Sequence, residues 1–157
     1  MTMAECHAAP VPSDRKGRIL FVDDEEIICE TYGDMLFKLG YEVSTKISSV
    51  EALEAFRARP DDFDLVIMDQ VMPHLTGLDL ADHLKKIRPN ISIILCTGYS
   101  ELITPQTAYD FGIDKVLIKP VGIWQMREVV DSTFRLNDFS NSNPRHCRVN
   151  RVHVDGA

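Results

Sequence analysis

Five short apolar runs punctuate this chain, each followed by a stretch in which apolar residues return every three or four positions. Arg18-Ile19-Leu20-Phe21-Val22 is the first, of strand length, and Ile28, Tyr32, Met35, Leu36 and Leu39 then recur at helical spacing up to Gly40, a stop signal. Tyr41 to Thr45 alternates like a half-buried strand. Ser48 to Glu51 has capping-box spacing ahead of Ala52, Leu53 and Phe56, and Pro60 with Asp61-Asp62 closes that helix. The third run, Asp64-Leu65-Val66-Ile67-Met68-Asp69, lacks helical periodicity, and its length suits a buried parallel strand. Gly77, Leu80, Ala81, Leu84 and Ile87 outline a third helix ended by Pro89-Asn90. Ile91 to Cys96 predicts strand four, Thr104-Pro105 an N-cap and first residue of a short helix stopped by Gly112, and Lys115 to Lys119 strand five. Trp124 or Met126, then Val129, Val130, Thr133 and Phe134 predict the last helix. From Asn137 onward the composition reads as a tail, and residues 1–16 as a disordered leader.

Strict alternation of strand and helix predicts an α/β fold of one domain: a doubly wound parallel sheet between helices on both faces. Parallel strands deliver their carboxyl ends to a common edge, where such sheets bind ligands. Asp23 and Asp24 follow strand one, Asp69 ends strand three, Thr97 follows strand four and Lys119 closes strand five. Each has a bland reading when taken singly. Asp23-Asp24 suits the first turn of a helix, Lys119 a solvated strand end and Thr97 a strand interior. Asp69 is harder to dismiss, because a carboxylate closing a buried apolar run is costly without a partner.

Three carboxylates on one rim repel unless a cation joins them, and an all-oxygen site with few protein ligands suits Mg2+ or Mn2+. With such a metal, a carboxylate can attack phosphorus and hold it as an acyl phosphate, which makes Asp69 the candidate nucleophile. Lys119 then offers an ammonium and Thr97 a hydroxyl to the new oxygens.

Composition narrows the partners. A formal net charge of −7 argues against direct nucleic-acid binding through phosphate neutralisation. No run approaches a membrane span and no signal-peptide core is present, so a cytoplasmic protein is expected. Cys6, Cys29, Cys96 and Cys147 show no metal-ligand spacing and are expected as free thiols. Arg145, His146, Cys147, Arg148, Arg151 and His153 are read as a solvated tail rather than a site.

The set Asp23-Asp24, Asp69 with Met72-Pro73 and Gly77, Thr97, and Lys119-Pro120 resembles that of response regulator receiver domains, in order and spacing, over about residues 17–136. The resemblance implies a flavodoxin-like three-layer sandwich with strand order 2-1-3-4-5. It implies Asp69 as phosphoacceptor in a two-component phosphorelay, and Asp24, Asp69 and the Val71 carbonyl as metal ligands, with Asp23 acting through water. Thr97 and Lys119 would sense the phosphoryl group, and the bond before Pro120 could be cis. Val116 stands where the family usually has an aromatic switch residue, and it has no ring to swing inward. Tyr99 and Val71 flank the site where the family tunes water access, and their bulk predicts slow self-hydrolysis.

Expected partners are a sensor histidine kinase or histidine phosphotransfer protein and a downstream protein that reads the helix 4, strand 5, helix 5 face, with a monomer or phosphorylation-dependent homodimer. Residues 137–157 are too few for an output domain, which suggests a stand-alone receiver or one from a hybrid sensor kinase. Two other classes are weighed. A binding module of the same fold would work unphosphorylated. A phosphohydrolase of haloacid dehalogenase type wants Asp-x-Asp, which Asp69-Gln70-Val71 lacks.

Overall fold

A computed structural model describes residues 15–98 and 103–141, with side chains described as far as 137. Two compact units divide the chain, Met1–Ile123 and Trp124–Ala157. The first carries β1 (Arg18–Val22), α1 (Glu26–Lys38), β2 (Glu42–Lys46), α2 (Ser49–Ala58), β3 (Leu65–Asp69), α3 (Gly77–Ile87), β4 (Ser92–Thr97), α4 (Pro105–Asp110) and β5 (Lys115–Ile118). A single 3-10 turn at Pro60–Asp62 links α2 to β3. All neighbouring strands pair parallel in the order β2-β1-β3-β4-β5, a flavodoxin-like α/β sheet.

The central strands explain their own composition. Every residue of β3 and β4 is buried, so an unbroken apolar run is what a strand covered on both faces requires. Leu20, Val22, Val66, Met68, Ile93 and Leu95 form one core with Ala52, Phe56, Leu80 and Leu84 of α2 and α3. The alternate residues face the other way, where Tyr32 of α1 stacks on Phe21 with ring centroids 5.8 Å apart. Helices thus cover both faces of the sheet. The edge strand β2 is only half covered and carries Glu42, Ser44, Thr45 and Lys46, an edge too polar to invite a further strand.

Local signals act where the sequence places them. Gly40 adopts φ +104° after α1 and Gly112 φ +72° after α4. The Thr104 hydroxyl caps α4 by accepting from the Thr107 N–H at 3.0 Å. Ser48 caps α2 by accepting from Glu51, and at α3 a full reciprocal box forms between Thr76 and Asp79. Cys29 and Cys96 are free thiols, with Cys6 and Cys147 outside the described residues.

The second unit is described by α5 (Ile123–Asn141), which begins at the last residue of the first. Met126, Val130, Thr133 and Phe134 form its buried stripe, and the helix continues into the stretch expected as tail. Among the described residues no helix is long and apolar enough to cross a membrane.

Candidate functional site

Three segments of the first unit converge at the carboxyl edge of the sheet. Asp23 leaves β1, Asp24 follows it, Asp69 is the last residue of β3, and Lys119 comes directly after β5. One oxygen from each of Asp23, Asp24 and Asp69 lies within 4.8 Å of the others. Asp23 is 2% exposed and Asp69 7%, whereas Asp24 faces solvent. The Lys119 ammonium reaches both buried acids, 3.2 Å from Asp23 Oδ2 and 3.1 Å from Asp69 Oδ1.

The backbone fixes each acid. Asp23 Oδ1 accepts from the Glu25 N–H at 2.9 Å, turning the chain from β1 into α1. The buried Cys29 thiol donates to the Asp23 carbonyl from the first turns of α1. Asp69 pairs in register with Cys96, and the next residue, Gln70, donates its N–H to the Cys96 carbonyl. The Gln70 amide oxygen accepts from Leu78 N–H at 3.0 Å, holding the start of α3 beneath the Asp69 loop. Ser49, at the start of α2, donates its hydroxyl to the Pro73 carbonyl and accepts from the Leu75 N–H. Gln70, Ser49 and Cys29 had no local sequence signal for these roles, since each partner lies on another element.

Gly77 has the tightest demand. A Cβ there would stand 2.6 Å from the Asp69 carbonyl oxygen and 2.5 Å from Leu95 Cδ1, and the backbone contact has no flexible end to yield. Gly77→Ala is expected to cost about 1–3 kcal/mol, the range for overpacking a closed contact. Urea unfolding measures it, and an unchanged midpoint would show that the loop has room to shift.

Burial pushes the Asp23 and Asp69 carboxyls above their ordinary range, even though Lys119 pulls both back down. Burial opposes the charge on Lys119 too, but its hydrogen bond to Asp69 and the charges of both acids outweigh that and hold it above the usual ammonium range. Among the described residues one ammonium, in contact with two of the three clustered carboxylates, supplies the positive charge, and the balance is short of it. The donors are hard oxygens in one cluster, a set that fits a divalent cation such as Mg2+.

Thr97 ends β4, 1% exposed, with its carbonyl accepting from the Lys119 N–H at 2.7 Å and its hydroxyl 3.4 Å from the Gly98 carbonyl. Lys119-Pro120 is cis. Val71 is 57% exposed beside the acids, and Val116 is half-buried against the core of α2 and α3. Tyr99 lies outside the described residues. A groove of about 640 Å³ opens elsewhere, at the amino end of β1. Arg18 there already lies 3.7 and 3.5 Å from Asp62 and Asp64, so the groove presents no convergent chemistry comparable with the rim.

A family model for the response regulator receiver domain matches residues 19–131. The DNA-binding transcriptional regulator NtrC of Azospirillum brasilense is 36% identical over 120 residues, covering 76% of this chain and 24% of its own length. The probable transcriptional regulator ycf27 of Cyanidium caldarium is 32% identical over 121 residues, covering 77% of this chain and 47% of its own. This chain thus spans half or less of those two relatives. Among solved structures, a response regulator receiver domain protein from Clostridium thermocellum has a TM-score of 0.74 at 32% identity, covering 78% of this chain and 98% of that one. A chemotaxis-regulator-like receiver domain protein from Methanospirillum hungatei has a TM-score of 0.72 at 28% identity over 79% and 98%.

Proposed function

Since the chain belongs to the response regulator receiver domain family of two-component signalling, we propose that it is a phosphoacceptor that takes a phosphoryl group onto Asp69 from a histidine kinase or histidine phosphotransfer protein. The observation that carries this reading is the Lys119 ammonium poised between Asp23 and Asp69 on an acidic rim short of positive charge. A carboxylate oxygen of Asp69 attacks the phosphorus of a phosphohistidine. The P–N bond breaks, its electron pair stays on the imidazole nitrogen, and a mixed anhydride forms on Asp69. Lys119 exchanges its contact with Asp69 for a new phosphoryl oxygen, and the Thr97 hydroxyl turns toward another.

Asp24, Asp69 and the Val71 carbonyl are the residues that would hold Mg2+ directly, with Asp23 acting through water. A bound Mg2+ supplies the positive charge that lets one anion approach another. The readout is a shift of the loop after β4 with the six-residue α4, whose Tyr109, like Ile118 of β5, stands exposed to a protein partner. Bulky side chains at Val71 and Tyr99, two positions after Asp69 and Thr97 in sequence, slow the anhydride's hydrolysis.

Intact mass after incubation with acetyl phosphate and Mg2+ tests the reading. The expected result is a base-labile gain of one phosphoryl group that EDTA prevents. No gain in a folded protein shown to bind Mg2+ would overturn it in favour of a module that binds partners unphosphorylated.

A further inference from the structure

Resting on that phosphoacceptor reading, we infer that Tyr32 is a positioning residue for Lys119, a latch that ties the loop carrying the ammonium to α1. The Tyr32 hydroxyl donates to the carbonyl of Val121, two residues beyond Lys119 and 89 residues from Tyr32 in sequence. Its ring is itself held, stacked within 15° of the plane of buried Phe21 on β1. Burial raises the phenol's pKa, and the Lys119 ammonium lowers it in part.

Within the loop the anchor points fall on Val121, whose side chain is also buried. Pro120 has no N–H to give, and a side chain added at Gly122 would meet nothing within 4 Å. Lys119 is thus fixed upstream by its N–H on the Thr97 carbonyl and downstream by Val121 on Tyr32. An ammonium that must serve two carboxylates and then a phosphoryl group needs its backbone held while its side chain changes partner. Fixing that backbone is what keeps the reacting groups in register. The latch also gives α1 a direct mechanical link to the loop that the phosphoryl group pulls on.

Tyr32→Phe keeps the ring and removes only the hydroxyl. Asp114→Ala serves as the control: it removes the 2.7 Å bond to the Ile93 N–H at the opposite end of the sheet, and so lowers stability without touching the loop. Two readouts are made on the full chain. In hydrogen exchange, normalised to global stability, the Lys119 amide, which donates to the Thr97 carbonyl, should exchange at least ten-fold faster in Tyr32→Phe and unchanged in Asp114→Ala. In acetyl phosphate titrations with Mg2+, the saturating phosphorylation rate of Tyr32→Phe should fall at least five-fold while the half-saturating concentration stays within two-fold.

Unchanged exchange in the loop would overturn the latch regardless of the kinetics. Faster exchange with a wild-type phosphorylation rate would overturn the positioning role. A wild-type protein that takes no phosphoryl group would sink the phosphoacceptor reading itself, and the positioning role with it, while the exchange data alone still decided whether the hydroxyl holds the loop.

Discussion

Asp69→Asn abolishes phosphoryl uptake and at the same time makes the metal-free protein more stable. The first effect follows from the nucleophile: an amide oxygen cannot form the anhydride, so the mass gain with acetyl phosphate and Mg2+ falls below detection. The second follows from the charge balance. Asp69 is buried beside Asp23 and Asp24, and its carboxyl is pushed up by burial more than Lys119 pulls it down. A carboxyl raised in the folded state contributes stability that is complete below its unfolded pKa, about 4. That contribution is lost as pH rises through the folded value. Metal-free wild type therefore draws less stability from this carboxyl at pH 7 than at about pH 4, and Asp69→Asn flattens the slope. The gain at pH 7 is about 1 kcal/mol, the difference between relieving repulsion and losing one hydrogen bond to Lys119. Mg2+ reverses the ranking, since it stabilises wild type by about 2.7 kcal/mol at a hundred-fold excess over its dissociation constant and the variant by far less. Urea melts at both pH values, with and without Mg2+, check all four corners. A variant no more stable than wild type without metal would mean that the three carboxylates are already compensated.

Lys119→Met is expected to act in the opposite sense on stability and in the same sense on chemistry. It removes the ammonium that contacts both Asp23 and Asp69 and leaves them without a cation among the described residues. Both carboxyls then lose what now lowers them, so the cost grows from near zero around pH 4 to about 2–3 kcal/mol at pH 7, somewhat below that of breaking a fully buried pair because Lys119 is 29% exposed. Mg2+ restores most of it. Phosphorylation from acetyl phosphate slows by at least ten-fold, because the phosphoryl oxygens lose an ammonium contact in the transition state. Unfolding curves over pH 4 to 8 and the phosphorylation time course measure the two effects. A stability loss independent of pH would show that Lys119 acts by packing its stem rather than by charge.

The sheet was legible because burial on both faces leaves a crude signature. β3 and β4 read as largely apolar runs of strand length, and their bounds shift by no more than a residue. Asp23, Asp24, Asp69 and Lys119 were legible as a set because parallel strands force their carboxyl ends to one side, so four separate positions predicted one place. What stayed hidden depends on contacts that no window contains. Tyr32 reads by spacing as a core residue of α1, and nothing near it announces Val121. Gln70 reads as the polar end of a strand, yet its amide organises the start of α3. The α5 boundary escaped for another reason. Asn137 and the polar residues after it are poor helix formers, but in a 19-residue helix that has already nucleated, a polar last turn adds little cost.

The pairing of Lys119 with Asp23 joins residues 96 positions apart. In a chain made from its amino end, β3 can settle beside β1 and gather the three acids about fifty residues of synthesis before the lysine is added. β4 must then take its place before β5 has a neighbour to pair with. For that interval the growing chain carries a rim whose counter-charge has not yet been translated, and ions of the surrounding solution have to stand in for it. The residue just after the last strand to be made thus brings the site the ammonium that offsets part of its charge.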